Sequence, residues 1–130
     1  MVNSIIQTAV SGLLAQSRAV GNAAGNIANS RTVGPIPEAG EAPPFQPIDT
    51  EFSSTSGGVQ ALNVARDPAF STVFLPDSAD ANAEGLIAAP NVSLEEELIN
   101  TQVAALSYKA NAAVLRTAAD IADETLEILS

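Results

Sequence analysis

The chain of 130 residues has no cysteine, no histidine and no tryptophan, and only one tyrosine. Without cysteine or histidine there are no disulfides, no thiolate or imidazole metal sites, and no Ser-His-Asp or Cys-His nucleophile. Sugar sites usually need aromatic platforms, so paired carboxylates for glycoside hydrolysis have little to work with, and no enzyme is expected. Basic residues are scarce as well: 5 Lys+Arg stand against 15 Asp+Glu, a net charge of −10. Such a surface repels polyanions and forgoes counterion release, which argues against nucleic-acid binding. No apolar run approaches the roughly 18 residues of a membrane span. The first basic residue, Arg18, follows the N-terminal apolar stretch, so neither a membrane span nor a cleavable secretory signal is expected. No cofactor is expected either.

What is abundant is alanine. The nominally apolar residues make up 46% of the chain, but 24 residues are alanine, leaving a thin supply of larger side chains for one compact core. All eight prolines fall between Pro35 and Pro90, which divides the chain into residues 1–30, 31–91 and 92–130. The first part carries Arg18 and no acid, while the other two are acidic.

Residues 1–30 read as one helix from about Asn3 to Asn29, roughly 40 Å long at about 1.5 Å per residue. Its apolar positions Ile6, Val10, Leu13, Val20 and Ile27, with Ser17 and Ala24 between, alternate in steps of four and three, the pattern of a helix seam. Residues 92–130 open with Ser93 as N-cap and Glu95, Glu96 and Glu97 in the first turn, where acids complement the helix dipole. From there Leu94, Leu98, Thr101, Ala105, Tyr108, Ala112, Leu115, Ala119, Ala122, Leu126 and Leu129 keep the same spacing along a helix of roughly 55 Å. A second line, Val103, Ala110, Val114, Thr117, Ile121 and Ile128, repeats it on another side. One partner helix cannot cover both lines, so the first is expected to hold the N-terminal helix and the second to meet another subunit. Asn22, Asn26 and Asn29 share one face of the first helix and are also expected to bond across an intersubunit interface.

The middle third reads as a turn-rich loop followed by short strands, Phe45 to Phe52, Val59 to Arg66 and Phe70 to Leu75. The expected fold is therefore mainly α with a small β element: an antiparallel, coiled-coil-like hairpin of long terminal helices, with the loop and strands between them and the β element at the end away from the termini. Asp80 to Gly85 copies the first half of an EF-hand loop, but position twelve is Asn91 and Pro90 interrupts it. It reads as a polar turn feeding a strand, not a calcium site.

Three segments resemble the axial proteins of the bacterial flagellum. Ala23-Ala24-Gly25-Asn26-Ile27-Ala28-Asn29-Ser30 is similar to the Asn-Leu-Ala-Asn signature of rod and hook proteins. Ala81 to Ile87, followed by Pro90-Asn91-Val92, resembles the Ala-Asp-Ala-Asn-Gly-Tyr-Val and Pro-Asn-Val pattern of the proximal rod, and Ser107-Tyr108-Lys109-Ala110-Asn111 resembles its Ser-Tyr-Gln-Ala-Asn. The resemblance implies a structural subunit that stacks helically in the proximal rod, a hollow drive shaft for motility, and leaves the cell by the flagellar type III export apparatus. It implies as partners copies of the chain, other rod proteins, and the membrane-ring and export-gate proteins at the rod base, with a periplasmic location in the basal body. A small acidic export chaperone or helical adaptor is the alternative that length and charge leave open.

Overall fold

The computed structural model describes residues 2–129. It is mainly helical with a small β part: α1 (Val2–Asn29), β1 (Ile48–Thr55), β2 (Gly58–Ala65), β3 (Phe70–Phe74), β4 (Leu86–Pro90) and α2 (Leu94–Leu129). β1 and β2 form one antiparallel hairpin, with Phe52 opposite Ala61. A second antiparallel pair joins β3 to β4, with Thr72 opposite Ala88. The long loop after α1 is pinned to β4 by two backbone hydrogen bonds between Gly34 and Ala88. The side chain of Leu129, the last seam position expected, lies outside what the structure describes.

The two helices pack directly on one another. Asn26 meets Glu97, Gly12 lies against Asn111, and Ile5 shares a groove with Ala118 and Ile121, so position numbers rise along α1 as they fall along α2. Apart from Leu115, the residues at this contact are not the large apolar ones. On α1 Ala15 is buried beside β2, and the buried positions at the helix contact are Ala9, Gly12, Ala23 and Asn26, with Gln16 and Ala19 half-buried between them. That is the expected four-three pattern moved back by one residue. On α2 the inward positions are Glu97, Thr101, Ala104, Asn111, Leu115, Ala118 and Ala122. Here one half of each expected repeat stays in place and the other half moves back by one.

The physical reason is the closeness of the helices. A Cβ built on Gly12 would lie 2.7 Å from Asn111 Nδ2, so at that point of the contact α1 has room for no side chain. Larger residues are displaced to its flanks. Ile6, Leu13, Val20 and Ile27 are half-buried there, as is Ala105, whereas Val10, Leu94, Leu98, Tyr108 and Ala112 are exposed. Leu126 lies past the end of α1 and is exposed too.

The β1–β2 hairpin does not sit beyond the helices, as expected, but lies along the side of α1. Its placement comes from a polar row on that helix. The Ser11 hydroxyl accepts the N–H of Val59 at 3.0 Å and donates to the Thr8 carbonyl at 2.7 Å. Arg18 Nη1 donates to the Ala61 carbonyl at 3.0 Å, and Asn22 Nδ2 donates to Thr50 Oγ1 at 2.7 Å and Asn63 Oδ1 at 2.9 Å. Gly58, at φ +134, permits the close approach of the hairpin turn to Thr8 and Ser11.

Candidate functional site

Where α1 ends and α2 begins, the elements converge on one charged cluster. Asn26, at 1% exposure, and Glu97, at 2%, are the buried polar residues of the described chain. Asn26 Nδ2 donates to the Glu97 carboxylate at 2.9 Å and to the Ile48 carbonyl at 2.9 Å, while its Oδ1 accepts the Ile48 N–H at 3.0 Å. Arg66, just past β2, reaches the same Glu97 oxygen at 2.8 Å. It also grips both oxygens of Asp49 through Nε, at 3.0 and 3.3 Å, and donates to the Asn91 carbonyl at 2.9 Å. One guanidinium thus joins β1, the end of β2, the β4–α2 connection and α2. Hydrogen bonding to Asp49 raises the Arg66 pKa above its ordinary value; burial opposes this, and the bond to Glu97 adds to it.

This cluster is chemically closed. Among the described residues no group of three potential ligands could hold a metal ion, and no buried side-chain nitrogen or oxygen lacks a hydrogen-bond partner. Its groups are spent on one another, which suits a junction that fixes geometry.

The structure gives each of the three asparagines hydrogen-bond partners within its own chain. Asn22 serves the β hairpin and Asn26 is sealed between β1 and α2. Asn29 donates back to the Gly25 carbonyl at 2.9 Å and accepts from Thr32, closing the end of α1. Ser93 caps α2 by accepting the Glu96 N–H at 3.3 Å. The part played by Glu97 and Arg66 was not anticipated. The available signal was that three consecutive acids on a helix splay through most of a turn, so one of them must point inward.

Outside the cluster, the surface is the notable feature. Val103, Ala110, Val114, Ile121 and Ile128, the second line on α2, are all exposed. So are Ile99, Leu106 and, on α1, Val10 and Leu14. Apart from Ile87, the buried hydrophobic residues of the described chain are alanines. The protein thus keeps small residues inside and turns large apolar ones outward, an arrangement that calls for covering neighbours. The turn from Asp80 to Gly85 uses its own polar atoms: Asn82 Oδ1 accepts the N–H groups of Glu84 at 3.0 Å and Leu86 at 2.9 Å.

Comparison with known proteins decides what kind of assembly this serves. The chain is 35% identical over 129 residues to the flagellar basal-body rod protein FlgC of Yersinia enterocolitica, covering 96% of each. Identity to the protein of that name from Salmonella typhimurium is also 35%, again over 96% of each chain. The chain belongs to the FlgC family of flagellar basal-body rod proteins. A third FlgC, from Buchnera aphidicola subsp. Acyrthosiphon pisum, is 33% identical over 132 residues. No family model matches. Membership in the FlgC family makes the chain a structural subunit of the basal-body rod, and nothing supports the export-chaperone alternative. FlgC relatives are structural proteins, which is compatible with the absence of catalysis. Among the described residues no helix is long and apolar enough to cross a membrane.

Proposed function

We propose that the chain polymerises helically in the proximal part of the rod, with α1 and α2 forming an antiparallel coiled-coil-like hairpin that serves as the axial core. In this reading residues 1–30 and 92–130 build the wall of a hollow shaft in the periplasm, and residues 31–91 decorate and index it. Its partners are copies of itself, other rod proteins, and the ring and export proteins at the rod base. The chain reaches them by the flagellar export route.

The observation that supports this most is the inverted distribution of apolar residues. An isolated globular chain gains about 1.5 to 3 kcal/mol from each large apolar side chain it buries, yet here α2 leaves Ile99, Val103, Leu106, Val114, Ile121 and Ile128 exposed. Those side chains gain that burial only when neighbours cover them. The second line on α2 is accordingly assigned to an intersubunit surface.

The test is Ile121→Asp or Val114→Asp. Both positions are about half exposed in the single chain, so an aspartate there changes the stability of the free subunit by only about 0.5 kcal/mol. Against a packed neighbour, an unpaired buried carboxylate costs several kcal/mol at every copy. Cells carrying either variant are expected to lose motility while still releasing the protein into the culture fluid. Normal swimming with Ile121→Asp would show that this line faces water.

A further inference from the structure

We infer that the outer face of α2 is covered by the outer face of α1 from a second copy of this chain, a head-to-tail contact between unlike surfaces. This rests on the subunit reading above and names the neighbour.

Between Glu97 and Asp120 the charges on α2 are Lys109 and Arg116, which are seven residues apart and share one helix edge. The face turned away from that edge and from α1 consists of Ile99, Leu106, Ala110 and Ala113, with Leu106 71% exposed. It is uncharged and ends in carboxylates on both sides, Glu96 at one end and Asp120 and Glu124 at the other. Two such faces laid together, in either direction, bring carboxylates against carboxylates. α1 has no acidic residue at all.

The outer face of α1 is Val10, Leu14, Ser17, Gly21, Ala24 and Ala28, all exposed, and it is uncharged as well. It is bulky in its first half and small in its second, with open space around Gly21. The face of α2 is bulky at Ile99 and Leu106 and small at Ala110 and Ala113. If a neighbour's α1 runs against α2 in the same sense and register as the chain's own α1, each bulky stretch meets a small one. The same arrangement brings the neighbour's Arg31, which is exposed and makes no ion pair among the described residues, to the Glu96 end of α2. Charge and shape therefore select the same occupant. Because the two surfaces differ, the contact repeats from copy to copy instead of closing on itself as a two-fold pair.

The chain has no cysteine, so disulfide trapping has no background. Gly21 and Leu106 both point away from the intrachain contact, and a bond between them within one copy is geometrically excluded. In basal bodies isolated from motile cells and oxidised, the double variant Gly21→Cys/Leu106→Cys is expected to give a ladder beyond dimer, and each single variant no product. A dimer from Leu106→Cys alone would place α2 against α2 and overturn the inference. So would an assembled double variant that fails to cross-link or links only to a different protein. If that pair blocks assembly, Ala24→Cys/Ile99→Cys samples the same contact and is scored by the same outcomes. Failure here leaves the Ile121→Asp experiment to judge the subunit reading separately, because that variant disrupts the face whichever helix covers it.

Discussion

Two glycines on the same helix should respond differently to the same change. Gly12→Ala and Gly21→Ala each gain up to about 1 kcal/mol of helix propensity. At Gly21 nothing lies within 4 Å of the added Cβ, so that gain should stand, and the variant is expected to be about 0.5 to 1 kcal/mol more stable. At Gly12 the added Cβ would lie 2.7 Å from Asn111 Nδ2 and 2.8 Å from its Cγ and Oδ1. Asn111 has little freedom to retreat, because its Nδ2 donates to the Ser107 carbonyl at 2.9 Å and its branch point is itself too close. Overpacking of this kind costs about 1 to 3 kcal/mol, which offsets or exceeds the propensity gain, so Gly12→Ala is expected to gain nothing and to lose up to about 2 kcal/mol. Urea unfolding of the full chain followed by circular dichroism measures both as midpoint shifts at constant slope. If Gly12→Ala stabilises as much as Gly21→Ala, the helices are not packed through this line, and the account of the small-residue seam fails.

At the charged junction, Glu97→Ala strands Arg66 on its inner side and is expected to cost about 2 to 3 kcal/mol. Asp49→Asn, whose side chain is 44% exposed, should cost under about 1 kcal/mol; equal losses in urea unfolding would contradict the burial argument. Ser11→Ala removes the acceptor of the Val59 N–H, with an expected cost of about 1 to 2 kcal/mol and faster hydrogen exchange at that amide; unchanged exchange would show that the hairpin is held by other means. Calorimetric titration should detect no calcium binding tighter than the millimolar range at Asp80–Gly85, because the closing carboxylate is missing and Asn82 already accepts two backbone hydrogens.

The helices, their bounds to within a residue or two, and three of the short strands were legible from proline placement, periodicity and turn residues, although β1 begins and ends three residues later than expected and the pairing of the strands was not read. The line of helix contact was not. A pattern search assigns the largest apolar residues to the contact, and that rule fails when the backbones approach closely enough to require Ala9, Gly12 and Ala104 there. Gly12 was the warning, since a mid-helix glycine is costly unless something presses against it. Asn26 and Glu97 could not be paired from sequence, because their partners Ile48 and Arg66 belong to a hairpin whose position beside α1 depends on tertiary contacts. The exposed line on α2 was readable because it needed only the count of apolar stripes and not their partners.

Alanine and glycine make a smooth track, with shallow knobs that offer little resistance to one helix sliding along the other. The polar row of Ser11, Arg18, Asn22 and Asn26 changes that. Each of these side chains is pegged to a particular backbone or side-chain group of the β hairpin, and Asn26 and Arg66 carry the peg through to α2. Advancing α1 by a single residue would draw every peg at once. In a shaft loaded in torsion, the small β element would then act as a key in a keyway, converting shear between two slippery helices into tension on hydrogen bonds set across them.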